Sequence, residues 1–209
     1  MEIILARHGE TEWNVKEVFR GRIDVELNDT GRKQAELLAG YLSKTSVEAV
    51  YSSPLKRALD TAGAIARKQG LSVIVTPGLI DLDFGEWQGI LLEEVSARYP
   101  ALFQEWTDHP ERVKIPGAET LDEVRQRALE VIHSILANHN SRVVLVTHRV
   151  VNKVLICALL GLDTSHFWNI KQDTAAISTF AYDDGRFTLT EHNNTCYLKP
   201  LQMAQRKDF

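Results

Sequence analysis

Short apolar runs alternate along this chain with longer segments of helical periodicity. Four runs rich in β-branched residues predict strands at residues 3–6, 49–51, 72–75 and 143–146. Each run ends in polar residues or a turn signal. Because strands that alternate with helices build a parallel sheet with both faces covered, the pattern predicts an α/β fold in which a mostly parallel central sheet is flanked by helices on both faces.

Helix start and stop signals lie between the first three runs. Asn28 or Thr30 can serve as the N-cap of a helix after the first run, since either side chain can accept a backbone N–H. Ser53 followed by Pro54 predicts the N-cap and the first position of the next helix, which is expected to stop at Gly70.

The second half of the chain adds two more helices and a hairpin. Thr120 opens a capping box, in which it and a glutamate three residues later each accept the other's backbone N–H, and its helix is expected to reach about residue 138. A further helix is expected after His148, with its end at Gly161. Residues 176–182 and 186–190 flank a turn that contains glycine, which predicts a hairpin at an antiparallel edge of the sheet.

Residues 90–117 do not fit the alternation of strands and helices. They are helical in places, but Pro100, Pro110 and Pro116 interrupt them. We therefore expect a helical insertion that lies over the functional site, within a single domain of residues 1–209.

The charge balance limits the classes of partner. The 209-residue chain has 24 basic and 28 acidic residues and a net charge of −4, whereas a nucleic-acid surface needs a basic excess. We therefore expect no nucleic-acid partner, and any anion site must be local.

Cysteine usage and apolar content predict the compartment. Cys157 and Cys196 are the two cysteines of a sequence that shows no signal peptide, so we expect a reducing cytoplasm and no disulfide framework. The apolar stretch at residues 154–160 is too short to span a bilayer, so no membrane association is expected.

Residues with catalytic potential come directly after three of the predicted strands. In an open parallel sheet, ligands bind outside the carboxyl ends of the strands. The first run is followed by Arg7 and His8, the second by a segment that contains Arg57, and the fourth by His148 and Arg149. Imidazole is nucleophilic near neutral pH and guanidinium matches phosphate oxygens in a bidentate fork, so these strand ends predict a site that holds or attacks a phosphoryl group.

Five blocks of sequence sharpen this prediction. They read RHGET at residues 7–11, SSPLKRA at 52–58, FGEWQG at 84–89, PGAET at 116–120 and VTH at 146–148. Together, and in this order, they resemble the histidine phosphatase superfamily, also called phosphoglycerate mutase-like. Each block alone is a weaker signal, because short motifs often match by chance.

The resemblance implies roles for the residues at the strand ends. His8 would be the nucleophile and form a phosphohistidine, which splits one difficult displacement into two easier ones. Arg7, Arg57 and His148 would hold the phosphoryl oxygens and counter their charge. With these groups around the phosphate, no metal ion and no cofactor are expected.

The general acid departs from the family pattern. The family has a glutamate four residues before the glycine of the third block, and counting back from Gly85 places Asp81 there. Aspartate can protonate a leaving alkoxide and then activate water, although its side chain is one methylene shorter. Asp83 and Glu86 are the alternatives.

Three further positions are expected to contact the substrate. Asn14 would supply a neutral donor, and backbone donors around Gly21 would supply another. Arg149 stands where the family usually has glycine. It would either grip a carboxylate or another second anionic group on the substrate, or point to solvent from the first turn of its helix.

The resemblance implies a phosphatase that acts on a small phosphorylated metabolite. Within the family the chain most resembles bacterial metal-independent phosphoserine phosphatases, and those enzymes imply a homodimer. An α-ribazole or broad-specificity phosphatase, a phosphoglycerate mutase and a non-catalytic module that binds a phospho-ligand or a protein are the alternatives. Residues 90–117 contain three basic residues, which favours hydrolysis over transfer, and the retained nucleophile and phosphate ligands disfavour a binding module.

Overall fold

A six-stranded mixed sheet forms the centre of this computed structural model, which describes residues 1–201. The spatial order of the strands is β3-β2-β4-β1-β5-β6, of which the first four are parallel, whereas β5 runs antiparallel to β1 and β6 antiparallel to β5. The predicted α/β class, mostly parallel sheet and antiparallel edge are confirmed. The strands are β1 (Glu2–Arg7), β2 (Ala49–Ser52), β3 (Val73–Val75), β4 (Arg142–Thr147), β5 (Ile177–Asp183) and β6 (Arg186–Asn194).

Seven α-helices fill the connections within the described residues. Asn28 caps the second helix by accepting the Gly31 N–H, and Thr120 forms the predicted capping box with Glu123. The helices are α1 (Glu12–Val15), α2 (Asp29–Leu42), α3 (Lys56–Gln69), α4 (Leu92–Arg98), α5 (Pro100–Asp108), α6 (Leu121–Asn138) and α7 (Arg149–Leu159). Among them, none combines the length and the apolar character that crossing a membrane requires.

The sheet has a hydrophobic core on each face, because successive side chains of a strand point to opposite sides. Ile3 and Leu5 of β1 pack into one core with buried residues of α4, α5, α6 and α7. Ile4 and Ala6 pack into the other with α2 and α3. Both faces are therefore covered by helices, as the uninterrupted apolar runs predict.

The predicted start of helix α3 was wrong. Helix α3 begins at Lys56, with Leu55 at the N-cap and no side-chain hydrogen bond, so Ser53 and Pro54 precede the helix. The physical reason is that the Ser53 hydroxyl bonds the distant His148 ring instead of capping the helix. Pro100 does separate two helices as predicted, because α4 ends at Arg98 and Pro100 occupies the first turn of α5, where its missing N–H costs nothing.

The predicted insertion packs on the face covered by α6 and α7. Trp106 of α5 is buried there, with its ring centroid 5.7 Å from that of Phe84 and 5.5 Å from that of Trp168. The Trp168 Nε1–H also donates to the Trp106 carbonyl at 2.8 Å. The insertion thus supports Phe84, which lines the pocket described below.

Candidate active site

The carboxyl ends of the predicted strands come together on one side of the sheet, and we call this side its carboxyl edge. Strands β1 and β4 are neighbours in a register that pairs Arg7 with Thr147, so His8 and His148 follow side by side. The His8 N–H donates to the Thr147 carbonyl at 3.0 Å, and the two imidazole centroids are 5.2 Å apart. Arg57 enters from the first turn of α3, after β2.

His8 is held with one ring nitrogen occupied. Its Nδ1 lies 2.6 Å from the Gly9 carbonyl oxygen, which can only accept, so Nδ1 carries the proton. Its Nε2 is buried and has no hydrogen-bond partner within residues 1–201. Burial lowers the pKa of His8 well below its usual value, and the charges of Arg57 and other nearby cations lower it further. The result is a neutral imidazole whose Nε2 lone pair is available for attack.

In His148, Nε2 rather than Nδ1 makes the hydrogen bond to the protein. Its Nε2 lies 2.7 Å from the Ser53 Oγ, which in turn accepts the Leu55 N–H at 3.3 Å. The Asp81 Oδ2, which accepts, lies 3.6 Å from Nδ1 and favours the tautomer with its proton on Nδ1, in which the Ser53 hydroxyl donates to Nε2. Burial, followed by the charge of Arg57, lowers the pKa of His148 well below its usual value. His148 is thus a neutral donor through Nδ1.

Replacing Ser53 with alanine is expected to lower kcat about tenfold, since a hydrogen bond of ~1.4 kcal/mol that fixes the reactive tautomer would be lost. The ¹⁵N shifts of His148 should show a mixture of tautomers in Ser53→Ala and a single one in the parent. Ser43→Ala, an exposed serine at the end of α2, is the matched control. A loss of activity with an unchanged His148 tautomer would show that Ser53 does not act through this ring.

Arg57 connects three parts of the site. Its guanidinium donates to the Gly21 carbonyl at 2.8 Å, to the Ile23 carbonyl at 3.0 Å and to the Asp81 Oδ2 at 3.1 Å. Arg7 donates to the Gln172 carbonyl. Both arginines are buried, so their orientation is fixed before any ligand binds.

Asp81 is the candidate carboxylate that the structure brings to His148. It is 4% exposed, and its Oδ1 accepts the Leu82 N–H at 3.0 Å. Asp83 instead accepts the Gly85 N–H and pairs with Arg22 at 3.6 Å, while Glu86 is exposed. Of the three candidates, Asp81 is therefore the one that lies beside His148 and Arg57.

Three hydrogen bonds to backbone carbonyls hold the segment that carries Asp81. The Thr147 hydroxyl at the end of β4 donates to the Leu79 carbonyl at 2.7 Å, and Arg127 of α6 donates to the carbonyls of Gly78 and Asp81 at 2.8 and 3.3 Å. The carboxylate is thus fixed relative to the strand that precedes His148.

A small pocket opens at this edge of the sheet. Arg149 lines it and is 7% exposed, with its guanidinium carbon 5.8 Å from the centroid of the Trp168 ring. The alternative in which Arg149 points to solvent is therefore wrong. The lining residues are Val18, Phe19, Arg20, Gly21, Asp81, Phe84, Arg149 and Val150.

Gly21 and Asn14 occupy the loops beside the pocket. Gly21 has φ of +52°, which strains any other residue, and a Cβ there would lie 2.1 Å from the Gln88 Oε1 and displace that side chain. Its carbonyl orients Arg57. The Asn14 Oδ1 accepts the Thr11 N–H at 2.9 Å, which leaves the amide NH₂ as the donor end of that side chain.

Sequence reasoning gave no role to Arg20, which the structure places in the pocket wall. Arg20 is 9% exposed. Burial lowers the pKa of Arg20 well below its usual value, and the charges of Arg7, Arg149 and Arg57 add to this effect. The one available signal was its position directly before Gly21, a predicted site residue.

The fold and the site define a class of protein that acts on phosphoryl groups. A nucleophilic imidazole and buried guanidinium groups meet at the carboxyl edge of a parallel sheet, where α/β proteins bind ligands. In the part of the chain that is described, no group of three or more histidine, cysteine or acidic residues is arranged to hold a metal ion.

The chain belongs to the histidine phosphatase superfamily. The profile of branch 1 of that superfamily matches residues 3–195. Phosphoserine phosphatase 1 of Hydrogenobacter thermophilus is 39% identical, over 99% of both chains. The mycobacterial glucosyl-3-phosphoglycerate phosphatase structure has a TM-score of 0.88 at 28% identity, over 93% of this chain and 99% of that one.

A third relative has been solved with a small ligand. The phosphoserine phosphatase of Entamoeba histolytica, in complex with 3-phosphoglyceric acid, has a TM-score of 0.84 at 28% identity, over 94% of this chain and 98% of that one. The family and these relatives identify the present chain as a phosphomonoester hydrolase.

Proposed function

We propose that this chain hydrolyses small phosphomonoesters through a phosphohistidine on Nε2 of His8, with no metal ion or organic cofactor. The observation that carries the proposal is the state of His8. Its Nδ1–H is tied to the Gly9 carbonyl, its Nε2 is without a hydrogen-bond partner among residues 1–201, and its lowered pKa keeps the ring neutral.

The first half-reaction transfers the phosphoryl group to the enzyme. The Nε2 lone pair forms a bond to phosphorus, the ester P–O bond breaks, and its electron pair leaves on the alkoxide oxygen. Asp81, a carboxylate paired with Arg57 in the free enzyme, takes up a proton as the anionic substrate binds and gives it to that oxygen, which releases the alcohol. Arg7, Arg57 and the Nδ1–H of His148 stabilise the charge on the transferring oxygens, and the amide of Asn14 adds a neutral donor.

The second half-reaction restores the enzyme. A water molecule takes the place of the alcohol, and the Asp81 carboxylate accepts its proton as the oxygen bonds to phosphorus. The N–P bond then breaks and returns its electron pair to Nε2. Inorganic phosphate leaves, His8 is neutral again, and Asp81 loses the proton to solvent and returns to its ion pair with Arg57.

Hydrolysis rather than transfer is supported by the charges of the insertion. Arg98 pairs with Glu94 at 3.1 Å and Arg112 with Glu111 at 3.1 Å, and both arginine side chains are exposed and lie outside the pocket wall. A mutase needs groups that retain an anionic intermediate during turnover. Arg98 and Arg112 instead form ion pairs with glutamates outside the pocket. The retained His8 and its arginines likewise disfavour a non-catalytic binding module.

Phosphoserine is the first substrate to test, because a phosphoserine phosphatase shares 39% of its residues with this chain over nearly its full length. Phosphate release should be measured with phosphoserine, 3-phosphoglycerate, α-ribazole phosphate and p-nitrophenyl phosphate at equal concentrations and in excess EDTA. We expect hydrolysis that EDTA does not reduce. Activity that requires an added divalent ion would contradict the proposed mechanism, and a preference for α-ribazole phosphate would support the alternative phosphatase.

The lowered pKa of His8 predicts that its ring stays neutral at pH values where an ordinary imidazole, with a pKa of about 6.5, is half protonated. The direction follows from the cause, since burial and neighbouring cations both disfavour the charged ring. Titration of ¹⁵N-labelled protein should show the His8 Nδ1–H tautomer persisting below pH 6.5. Protonation of His8 at or above pH 6.5 would contradict the arrangement.

We further propose a cytoplasmic homodimer. Cys157 and Cys196 are free thiols, and Cys196 is exposed, which suits a reducing compartment. Strand β3 lies at the open edge of the sheet, where Ile74 and Val75 are exposed. Sedimentation velocity is expected to show a dimer that Val75→Lys dissociates, whereas a monomeric parent protein would contradict this proposal.

A further inference from the structure

We propose that Glu119 is a positioning residue for the general acid, and that it holds the backbone of Asp81 through two arginines. This inference rests on the proposed function, because it concerns the group that protonates the leaving oxygen. Glu119 belongs to the block PGAET at residues 116–120, to which the two half-reactions give no part. It is not among the residues that line the pocket, so its effect on the reaction passes through other residues.

Glu119 bridges the two arginines. Arg127 of α6 donates to both of its carboxylate oxygens, from Nε at 2.7 Å and from Nη2 at 2.9 Å. Arg22 donates to the Oε2 at 3.2 Å. A two-pronged contact between guanidinium and carboxylate fixes the orientation of both groups as well as their separation. The Glu119 side chain is 13% exposed, so solvent screens its pair with Arg127 less than it would screen a surface pair.

Both arginines also reach the main chain that carries the general acid. Arg127 donates to the Gly78 carbonyl at 2.8 Å and to the Asp81 carbonyl at 3.3 Å. The Nε of Arg22 lies 3.5 Å from the same Asp81 carbonyl oxygen. One carboxylate thus orients two donors on the carbonyl of the residue whose side chain is the acid. Without Glu119, the two guanidinium groups would repel each other across that carbonyl.

The segment around Asp81 is held on both sides. A Cβ at Gly78 would lie 2.6 Å from the Val131 Cγ2 of α6, so the segment is packed directly against that helix. After Asp81, the Asp83 carbonyl accepts the Glu119 N–H at 2.9 Å. Glu119 therefore acts before the acid through Arg127 and after it through its own backbone.

The short side chain of aspartate makes this backbone position important. Two side-chain torsions separate the Asp81 carboxylate from the main chain, so a shift of the backbone moves the carboxylate by a similar amount. A general acid must lie within hydrogen-bond reach of the leaving oxygen, and a misplacement of about 1 Å can cost about 10²-fold in rate. Loss of Glu119 should therefore weaken protonation of the leaving group and leave attack by His8 intact.

A matched pair of esters isolates the proton transfer. p-Nitrophenol leaves readily without a proton, whereas the alkoxide of benzyl alcohol needs one, and their phosphate esters are similar in size and charge. The ratio kcat/KM reports the steps up to release of the alcohol, and so excludes the hydrolysis of the phosphohistidine. We expect Glu119→Gln to lower kcat/KM about 10- to 100-fold for benzyl phosphate and less than about threefold for p-nitrophenyl phosphate.

Two further variants accompany Glu119→Gln. Glu119→Asp keeps the charge but withdraws the carboxylate by one methylene, so it is the less disruptive change and should show the same pattern at a smaller size. Glu36→Gln is the matched control, because it removes an exposed glutamate of α2 that pairs with Arg67 at 2.8 Å. It should leave kcat/KM for both esters unchanged.

A double variant distinguishes positioning of the acid from a merely structural role. Asp81→Asn alone should show the same selectivity between the esters, with a larger loss on benzyl phosphate. Adding Glu119→Gln to Asp81→Asn should lower kcat/KM for benzyl phosphate no further, because a positioning residue has no effect once the group that it positions is gone. A merely structural role would still lower kcat/KM in that background.

Two outcomes would overturn the inference and leave Asp81 as the acid. One is an equal loss, or no loss, on the two esters in both Glu119 variants. The other is a full effect of Glu119→Gln in the Asp81→Asn background. Failure of the proposed function looks different, since Asp81→Asn itself would then affect both esters alike, or His8→Ala would retain hydrolysis of p-nitrophenyl phosphate.

Discussion

Replacing His8 with alanine is expected to reduce kcat for phosphomonoester hydrolysis by roughly 10⁴-fold or more, because the covalent route disappears and the remaining site offers only binding and charge stabilisation. The effect should fall on kcat, since Arg7, Arg57 and His148 still hold the phosphate. No other imidazole can replace it, as the Nε2 of His148 is bonded to Ser53.

The intermediate gives a direct measurement. Rapid quenching of the parent enzyme at high pH should trap a phosphohistidine, which is labile in acid, and mass spectrometry should place the phosphoryl group on His8. His133→Ala, an exposed histidine of α6, is the control for general effects of removing an imidazole. Undiminished turnover by folded His8→Ala protein would remove His8 from the mechanism.

Replacing Arg57 with methionine is expected to damage both activity and stability. The free energy of unfolding should fall by about 3 kcal/mol, because Asp81 would remain buried without its partner and two backbone carbonyls would lose their donor. Activity should fall by about 10²- to 10³-fold, as expected when a preorganised donor to the phosphoryl oxygens is removed. Urea unfolding and steady-state kinetics measure the two effects separately.

A control and a double variant identify the cause. Arg67→Met, on the same helix α3, removes an exposed arginine that pairs with Glu36 at 2.8 Å, and it should change stability by less than about 1 kcal/mol. Adding Asp81→Asn to Arg57→Met should recover part of the lost stability, because the uncompensated carboxylate would be gone. If the stability losses of Arg57→Met and Asp81→Asn simply add in the double variant, the stabilising effect of Arg57 does not come from its ion pair with Asp81.

The sequence predicted those features of the fold that depend on neighbouring residues. Apolar runs such as the one around Ile3 become strands because both of their faces are buried. The capping box at Thr120 formed as expected, since its partners lie three residues apart. The strand ends also placed Arg7, His8 and His148 correctly, because the carboxyl edge of a parallel sheet follows from the strand positions.

Features that depend on distant partners were less predictable. The sequence around Ser53 has the signature of an N-cap, yet its hydroxyl bonds a ring 95 positions away, and no local pattern shows this competition. Arg20 was missed because burial of an arginine in a loop depends on the walls that surround it. For Arg149 the sequence left two orientations open, and the contact with Trp168 decides between them.

The pairing of β1 with β4 has a consequence for how this protein gains activity. His8 follows a strand at the beginning of the chain and His148 follows one far along it, and the two meet only when those strands are in register. Contacts of such long sequence separation carry the largest closure entropy and form slowly. During refolding, helical signal should therefore return before phosphate release does, and on the ribosome the enzyme should stay inactive until β4 has emerged.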